Sequence, residues 1–285
     1  MTERRKPRSE VNHQHYVPEF YLKRFASDKA LLKINTLTRR QSRIVSEERS
    51  IKYTCFKERI YRDAEEDITR LENILQRSGT WTLPVAGRKG PLSETDARNL
   101  YRIVSHFSVR TPHTQGHLQR LAKNGVDLSG LGSDLQVAFE NMASTYDAWD
   151  KSFHLVSVRI LHTDADLLTS AFPTSSFDAN LTVDEVVFPH HVTMAIDRRV
   201  LVHVMVKGFD LDKRVRQQFW VAPAEDQIVQ RHNLGQISRF IFSDDVEYIV
   251  HTCDVSKNLI FRALSDTGWT WELKGRGERV FKKGL

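Results

Sequence analysis

Two periods of apolar and polar positions divide the chain. From Asp63 to Ser78, Ile68, Leu71 and Leu75 recur at helical spacing, Glu65 and Glu66 suit the first turn, and Gly79 marks the end. A second helix follows Ser93, which forms a capping-box pattern with Asp96; Ala97, Leu100, Val104 and Phe107 make its apolar stripe, and Pro112 stops it. A short helix over 115–123 precedes the glycine-rich loop NGVDLSGLGSD, and a third long helix from Asp134 to Asp150 presents Leu135, Phe139, Met142, Tyr146 and Trp149 to a core. Ahead of these lie a short helix or turn from Tyr16 to Phe25, started by Pro18, and a hairpin. Its β-prone runs are LLKIN at 31–35 and QSRIVS at 41–46, joined by a turn over Thr36–Arg40.

After residue 150 the pattern shortens to that of strands. FHLVSVRIL at 153–161, LLTS at 167–170, the apolar run at 186–188, VTMAI at 192–196 and LVHVMVK at 201–207 are dense in branched and aromatic residues between turn signals. A helix from Pro223 toward Phe242 follows, then a strand pair involving VEYIV at 246–250 and TWELKG at 270–275. The expectation is an α+β fold, with a helical N-terminal half followed by a strand-rich C-terminal half. Residues 11–285 are expected to form a single compact domain behind a basic polar tail at 1–10, with 11–150 and 151–285 as two lobes if the halves meet at a cleft.

Composition narrows the setting. A hydrophobic fraction of 40% with 27% charged residues is ordinary for a globular chain. No apolar run approaches the roughly 20 residues that cross a bilayer, and MTERRKPRSE lacks the apolar stretch of a secretory signal, so the expected location is the cytoplasm, away from membranes. Two cysteines, Cys55 and Cys253, have no metal-type pairing and are expected to pack as small apolar side chains. The net charge of +6 favours an anionic partner, nucleic acid or nucleotide. The competing explanation is solvated ends, since Arg4, Arg5, Lys6 and Arg8 and then Lys274, Arg276, Arg279, Lys282 and Lys283 carry much of that charge.

Candidate chemistry is concentrated at a few positions. His13 and His15, two residues apart, face one side of an extended backbone and can reach one phosphate or one metal; the structural alternative is a histidine capping a turn. Arg110 stands at a helix C-terminus, where its charge suits the dipole, and its fork of donors equally suits a phosphate or carboxylate. Tyr16 and Tyr21 can stack on a base or pack with Phe20 and Phe25. Thr169, Ser170 and Pro173 close a predicted strand, where polar groups often line a cleft. Other chemistries lack their patterns. No Gly-x-Ser-x-Gly elbow surrounds Ser170, no Glu follows His113 in its i, i+4 pair with His117, and His190 and His191 point to opposite faces of a strand. A glycine-rich phosphate loop is also absent, so no metal and no cofactor is assigned.

Asn12-His13-Gln14-His15-Tyr16-Val17-Pro18, followed by Tyr21-Leu22 and Phe25, resembles the opening signature of the family called domain of unknown function 4238. The resemblance continues at Arg110-Thr111-Pro112 and at Thr169-Ser170-Ala171-Phe172-Pro173, where the family has threonine-serine-aspartate, one variable residue and proline. Phe188-Pro189 and Asn233 to Ser243 are similar to a later strand and the terminal helix. The resemblance implies a bacterial origin and singles out His15 among the histidines. It also marks a departure: Ala171 stands at the aspartate position, so if that acid is catalytic the protein is inactive or uses a nearby acid such as Asp164, Asp166 or Asp178.

Two functions fit these residues. The first is a phosphodiester- or nucleotide-directed enzyme, nuclease-like and set in bacterial defence or a mobile element. In it His15 shuttles a proton, Arg110 steadies phosphate charge, Thr169 and Ser170 complete the catalytic set, and His13, Tyr16 and Tyr21 contact substrate. The second is a non-catalytic module for nucleic acid or protein, in which the signature locks the N-terminal segment onto the core. Ala171 favours it.

Overall fold

A computed structural model of the chain describes residues 13–15, 17–27, 32–40, 43–54, 56–58, 69, 72–73, 76–77, 89–109, 153–177, 181–183, 186–188, 191–206, 219–243, 246–274 and 278–283. The early strands are β1 (His13–His15), β2 (Lys33–Arg40), β3 (Arg43–Ser50), β4 (Phe56–Glu58) and β5 (Gly90–Pro91). Those of the middle are β6 (Val156–His162), β7 (Thr169–Ser170), β8 (Thr174–Phe177), β9 (Leu181–Val183), β10 (Val186–Phe188), β11 (His191–Asp197) and β12 (Val200–Val206). The last are β13 (Phe219–Pro223), β14 (Tyr248–His251), β15 (Trp269–Lys274) and β16 (Glu278–Lys283). Among the described residues, the α-helices complete from end to end are α1 (Glu19–Leu22), α2 (Glu94–Val109), α3 (Asp226–Phe242) and α4 (Asp254–Asp266).

A mixture of helix and strand is present, but not in the expected order. Four strands fall within residues 13–58, and α3 and α4 lie near the C-terminus, which overturns a helical N-terminal half followed by a strand-rich remainder. The early hairpin is longer than expected because Thr36 and Thr38, read as a turn, continue β2 with their side chains buried, and the pairing with β3 runs on to Arg40 and Arg43. Helix α4 escaped notice because apolar residues occupy both faces: Ile260, Phe261 and Leu264 are buried whereas Val255 and Leu259 are exposed, blurring the stripe. Its N-cap is Cys253, an unusual cap, whose sulfur accepts from the Ser256 N–H at 3.5 Å and donates to Asp166 Oδ2 at 2.8 Å. Cys253 is therefore a half-buried polar partner rather than apolar filling. VEYIV and TWELKG do not pair with each other; β14 lies between β2 and β7, and β15 pairs with β16.

Two six-stranded sheets carry the fold, ordered β15-β16-β3-β2-β14-β7 and β5-β13-β6-β12-β11-β8, and each draws strands from both halves of the chain. Every pairing in them is antiparallel except the parallel β13–β6. The second sheet holds α2 on one face, where Ala97, Leu100, Val104 and Phe107 are buried as the stripe predicts, and Ser93 caps the helix by accepting from the Asp96 N–H at 3.1 Å. Residues 69, 72–73 and 76–77 are helical, within the first predicted helix; the helices predicted over 115–123 and 134–150 lie outside the described residues.

The sheets are joined at one corner. The chain leaves β7, at the edge of the first sheet, and three residues later enters β8, at the edge of the second. Helix α3 packs along this corner, and Gly235 permits the approach: a Cβ there would lie 2.9 Å from Ser175 Oγ. At the other end of α3, the Arg39 guanidinium donates to the carbonyls of Phe240 and Ile241 and lies over the rings of Phe240 and Trp269, satisfying carbonyls that a helix end leaves open.

Candidate functional site

Tyr21, Thr169 and Ser170 come together at the corner between the sheets. Tyr21 is fully buried, its ring against Phe25 and Phe107. Its hydroxyl lies 2.7 Å from the Ala195 carbonyl and 2.6 Å from Thr169 Oγ1. A carbonyl only accepts, so the tyrosine proton goes to Ala195 and the threonine hydroxyl donates to the tyrosine oxygen. Burial raises the Tyr21 pKa further above its ordinary value, which keeps that proton in place.

Ser170 Oγ accepts from the Phe172 N–H and lies 2.7 Å from Gln236 Oε1. From α3, Gln236 Nε2 donates to the Thr174 carbonyl and to Ser175 Oγ, Asn233 Oδ1 accepts from the Leu168 N–H, and Asn233 Nδ2 donates to the Asp166 carbonyl. His232 Nε2 donates to the Leu168 carbonyl at 3.0 Å, leaving Nδ1 to accept from the Thr193 hydroxyl, also at 3.0 Å. Burial lowers the His232 pKa to about 4, so the ring is neutral. Arg239 donates to the Thr174 carbonyl and sits 4.1 Å over the Phe172 ring, with its pKa lowered to about 10 by burial. One side of α3 thus bonds the carbonyls of Asp166, Leu168 and Thr174 and the N–H of Leu168.

Of the residues singled out from sequence, Tyr21 and Thr169 meet, and Ser170 lies beside them. Thr169 and Ser170 are fully enclosed and hydrogen-bonded within the protein, not set along a cleft. His13 and His15 occupy β1, paired in register with Glu58 and Phe56 of β4. Tyr16 and Arg110 lie outside the described residues, as do His113, His117 and His190. Ala171 is buried and donates its N–H to the Tyr248 carbonyl, so an aspartate there would be an enclosed carboxylate.

A different polar strip crosses the second sheet on the face opposite α2. Register pairs place Trp220 of β13 beside Arg159 of β6, Arg159 beside His203 of β12, and His203 beside Thr193 of β11. His191 Nδ1 lies 2.7 Å from His203 Nε2, with the two rings stacked at 5.0 Å. Phe177 stacks on His191 at 5.3 Å, and the Arg231 guanidinium lies over Phe177. His203 is enclosed, Arg159 and His191 are partly exposed, and Trp220 is half exposed. Among the described residues, Arg159 Nε is buried without a hydrogen-bond partner, and its Nη1 reaches only the largely exposed Glu225, at 3.8 Å.

Sequence reading missed this strip. It set His191 against its neighbour His190, when the partner lies across the hairpin. The available signal was His203 itself, a lone imidazole inside the apolar run VLVHVMV, and Arg159 inside FHLVSVRIL. The pair can hold one proton between two nitrogens, which requires a lone pair on one of them. When His191 Nδ1 donates, neutral His191 keeps a basic Nε2; when it accepts, Nε2 carries the proton.

Among the described residues no group of three or more His, Cys, Asp or Glu is placed to hold a metal ion, and no helix is long and apolar enough to cross a membrane. No curated protein and no solved structure matches the chain. A family model described as protein of unknown function (DUF4238) matches residues 13–245, a span that includes Tyr21, Thr169, Ser170 and the whole strip. The chain belongs to that family.

Proposed function

We propose that the chain is a phosphodiester- or nucleotide-directed enzyme whose working groups are His191, His203 and Arg159. The carrying observation is the 2.7 Å contact between the two imidazoles, with Arg159 at the neighbouring cross-strand position. The partly exposed outer end of Arg159, held among the described residues only by Glu225 at 3.8 Å, offers donors to a phosphate. In hydrolysis, water forms a bond to phosphorus and passes a proton to His191, with His203 relaying through the shared hydrogen bond. The P–O bond to the leaving oxygen breaks, and that oxygen takes a proton from the pair or from solvent. A net charge of +6 favours a polyanionic substrate.

The test is a cleavage assay on labelled single- and double-stranded DNA and RNA and on nucleotides, with Mg²⁺, Mn²⁺ or chelator. His191→Ala is expected to lose about 10²- to 10⁴-fold in rate, as removal of a general acid–base does. His15→Ala and Arg110→Ala run alongside. Activity that needs those residues but tolerates His191→Ala would return the site to the N-terminal signature.

One observation favours a binding module instead: Tyr21, Thr169 and Ser170 are buried and hydrogen-bonded, as residues locking a segment onto a core would be. Binding by wild type without cleavage under any metal condition would select that reading.

A further inference from the structure

Phosphate chemistry does not specify the form of the substrate; Trp220 does. Its side chain is 48% exposed although it sits within a sheet, between Pro91 of β5 and Arg159 of β6. An indole left half in water beside a cation can stack a nucleobase while the cation takes the adjoining phosphate. Neighbouring strands lie about 4.8 Å apart, so Trp220, two strands from His203, stands roughly 10 Å from it. Stacked bases rise about 3.4 Å per step. A base on Trp220 and a phosphate at the histidine pair are therefore further apart than one base step.

We propose that the strip takes a single-stranded nucleic acid, with one base stacked on Trp220, a phosphate on Arg159, and a phosphodiester further along the strand at His191, behind which His203 lies enclosed. This rests on the phosphodiester reading above. A duplex fits poorly, because its bases are stacked on one another and offer no free face. Arg231, over Phe177 on the far side of the histidine pair, extends positive charge along the same direction.

Binding of fluorescently labelled oligonucleotides tests it, with single-stranded RNA, single-stranded DNA, the matching duplexes and unlabelled mononucleotide competitors in separate arms. Wild type is expected to prefer single strands over duplex, and mononucleotides should compete weakly. Trp220→Ala should weaken single-strand binding by roughly 5- to 150-fold. Trp220→Phe should retain most of it, which separates stacking from packing; melting curves of both variants show whether the fold persists. Arg159→Ala should lower the slope of log affinity against log salt by about one. If Trp220→Ala, with its fold intact, binds like wild type, or if duplex binds as tightly as single strand, the single-strand assignment is overturned while the phosphate reading stands. If wild type binds no polynucleotide in any arm, the single-strand assignment and the polynucleotide form of the phosphodiester reading both fall. The RNA and DNA arms report which sugar the strip prefers.

Discussion

Tyr21 and Thr169 share a 2.6 Å hydrogen bond across 148 residues of sequence, inside the protein, and the tyrosine proton continues to the Ala195 carbonyl. Replacing Tyr21 by Phe keeps the ring but leaves a buried carbonyl and a buried hydroxyl to find other partners. The expected cost is about 1–3 kcal/mol. Chemical denaturation checks it, and a midpoint equal to that of wild type would show that water or a neighbour replaces the phenol. Thr169→Val in the Tyr21→Phe background should cost less than in wild type, since the pair shares one bond.

Gly235 faces Ser175 too closely for a side chain. A Cβ would meet both the Oγ and, at 3.0 Å, the Cβ of the serine, so Ser175→Ala offers no relief. Gly235→Ala is expected to destabilise by about 1–3 kcal/mol even though alanine favours helices. A stabilised Gly235→Ala protein in thermal melts would mean that α3 can slide away from β8 without penalty.

Acid should weaken the fold before it protonates any buried carboxylate. Burial lowers the His232 pKa to about 4 and that of His106 to about 3, and both rings are fully enclosed. Unfolded histidine titrates near pH 6.5, so below about that pH the unfolded chain binds more protons than the folded one. Stability is therefore full above about pH 6.5 and falls as pH drops, by about 1.4 kcal/mol per pH unit for each ring, until the folded rings themselves protonate. Urea midpoints at pH 7.5, 6.0 and 5.0 measure the slope, and His232→Gln should make it shallower. A slope that ignores that substitution contradicts the assignment.

Arg39 grips the end of α3 through two carbonyls and two rings. Arg39→Lys keeps the charge but loses the planar fork. The expected loss is on the order of 1 kcal/mol, read as a lower melting temperature. Recovery of full stability by lysine would mean that charge alone caps the helix.

How far the sequence could be read depended on whether a feature was local. Ser93 with Asp96, and Pro18 ahead of Glu19, act within one turn of helix and announce themselves in the order of residues. Tyr21, Thr169 and Ser170 stood out as motif residues, but their partners, Ala195 and Gln236, lie far along the chain and carry no motif of their own. Burial decides between lining a cleft and filling a corner, and no spacing rule reports burial. The histidine pair was hidden for a similar reason. Cross-strand neighbours depend on register, and His191 sits opposite Met205, diagonal to His203, an arrangement set by the turn at Arg198–Arg199.

The order of strands in the first sheet also constrains how the chain can be made. Strand β2 needs β14, and β3 needs β16, so a hairpin finished by residue 50 keeps both edges open until residues 248–283 have emerged. Arg39 waits equally long, since its carbonyl partner Phe240 is 201 residues away. Contacts this distant slow folding, and an open-edged hairpin is a template for pairing with other chains in the meantime. Synthesis from the N-terminus therefore leaves the earliest hairpin as the longest-exposed part of the nascent protein, the place where a chaperone would act and where crowded expression would first produce aggregates.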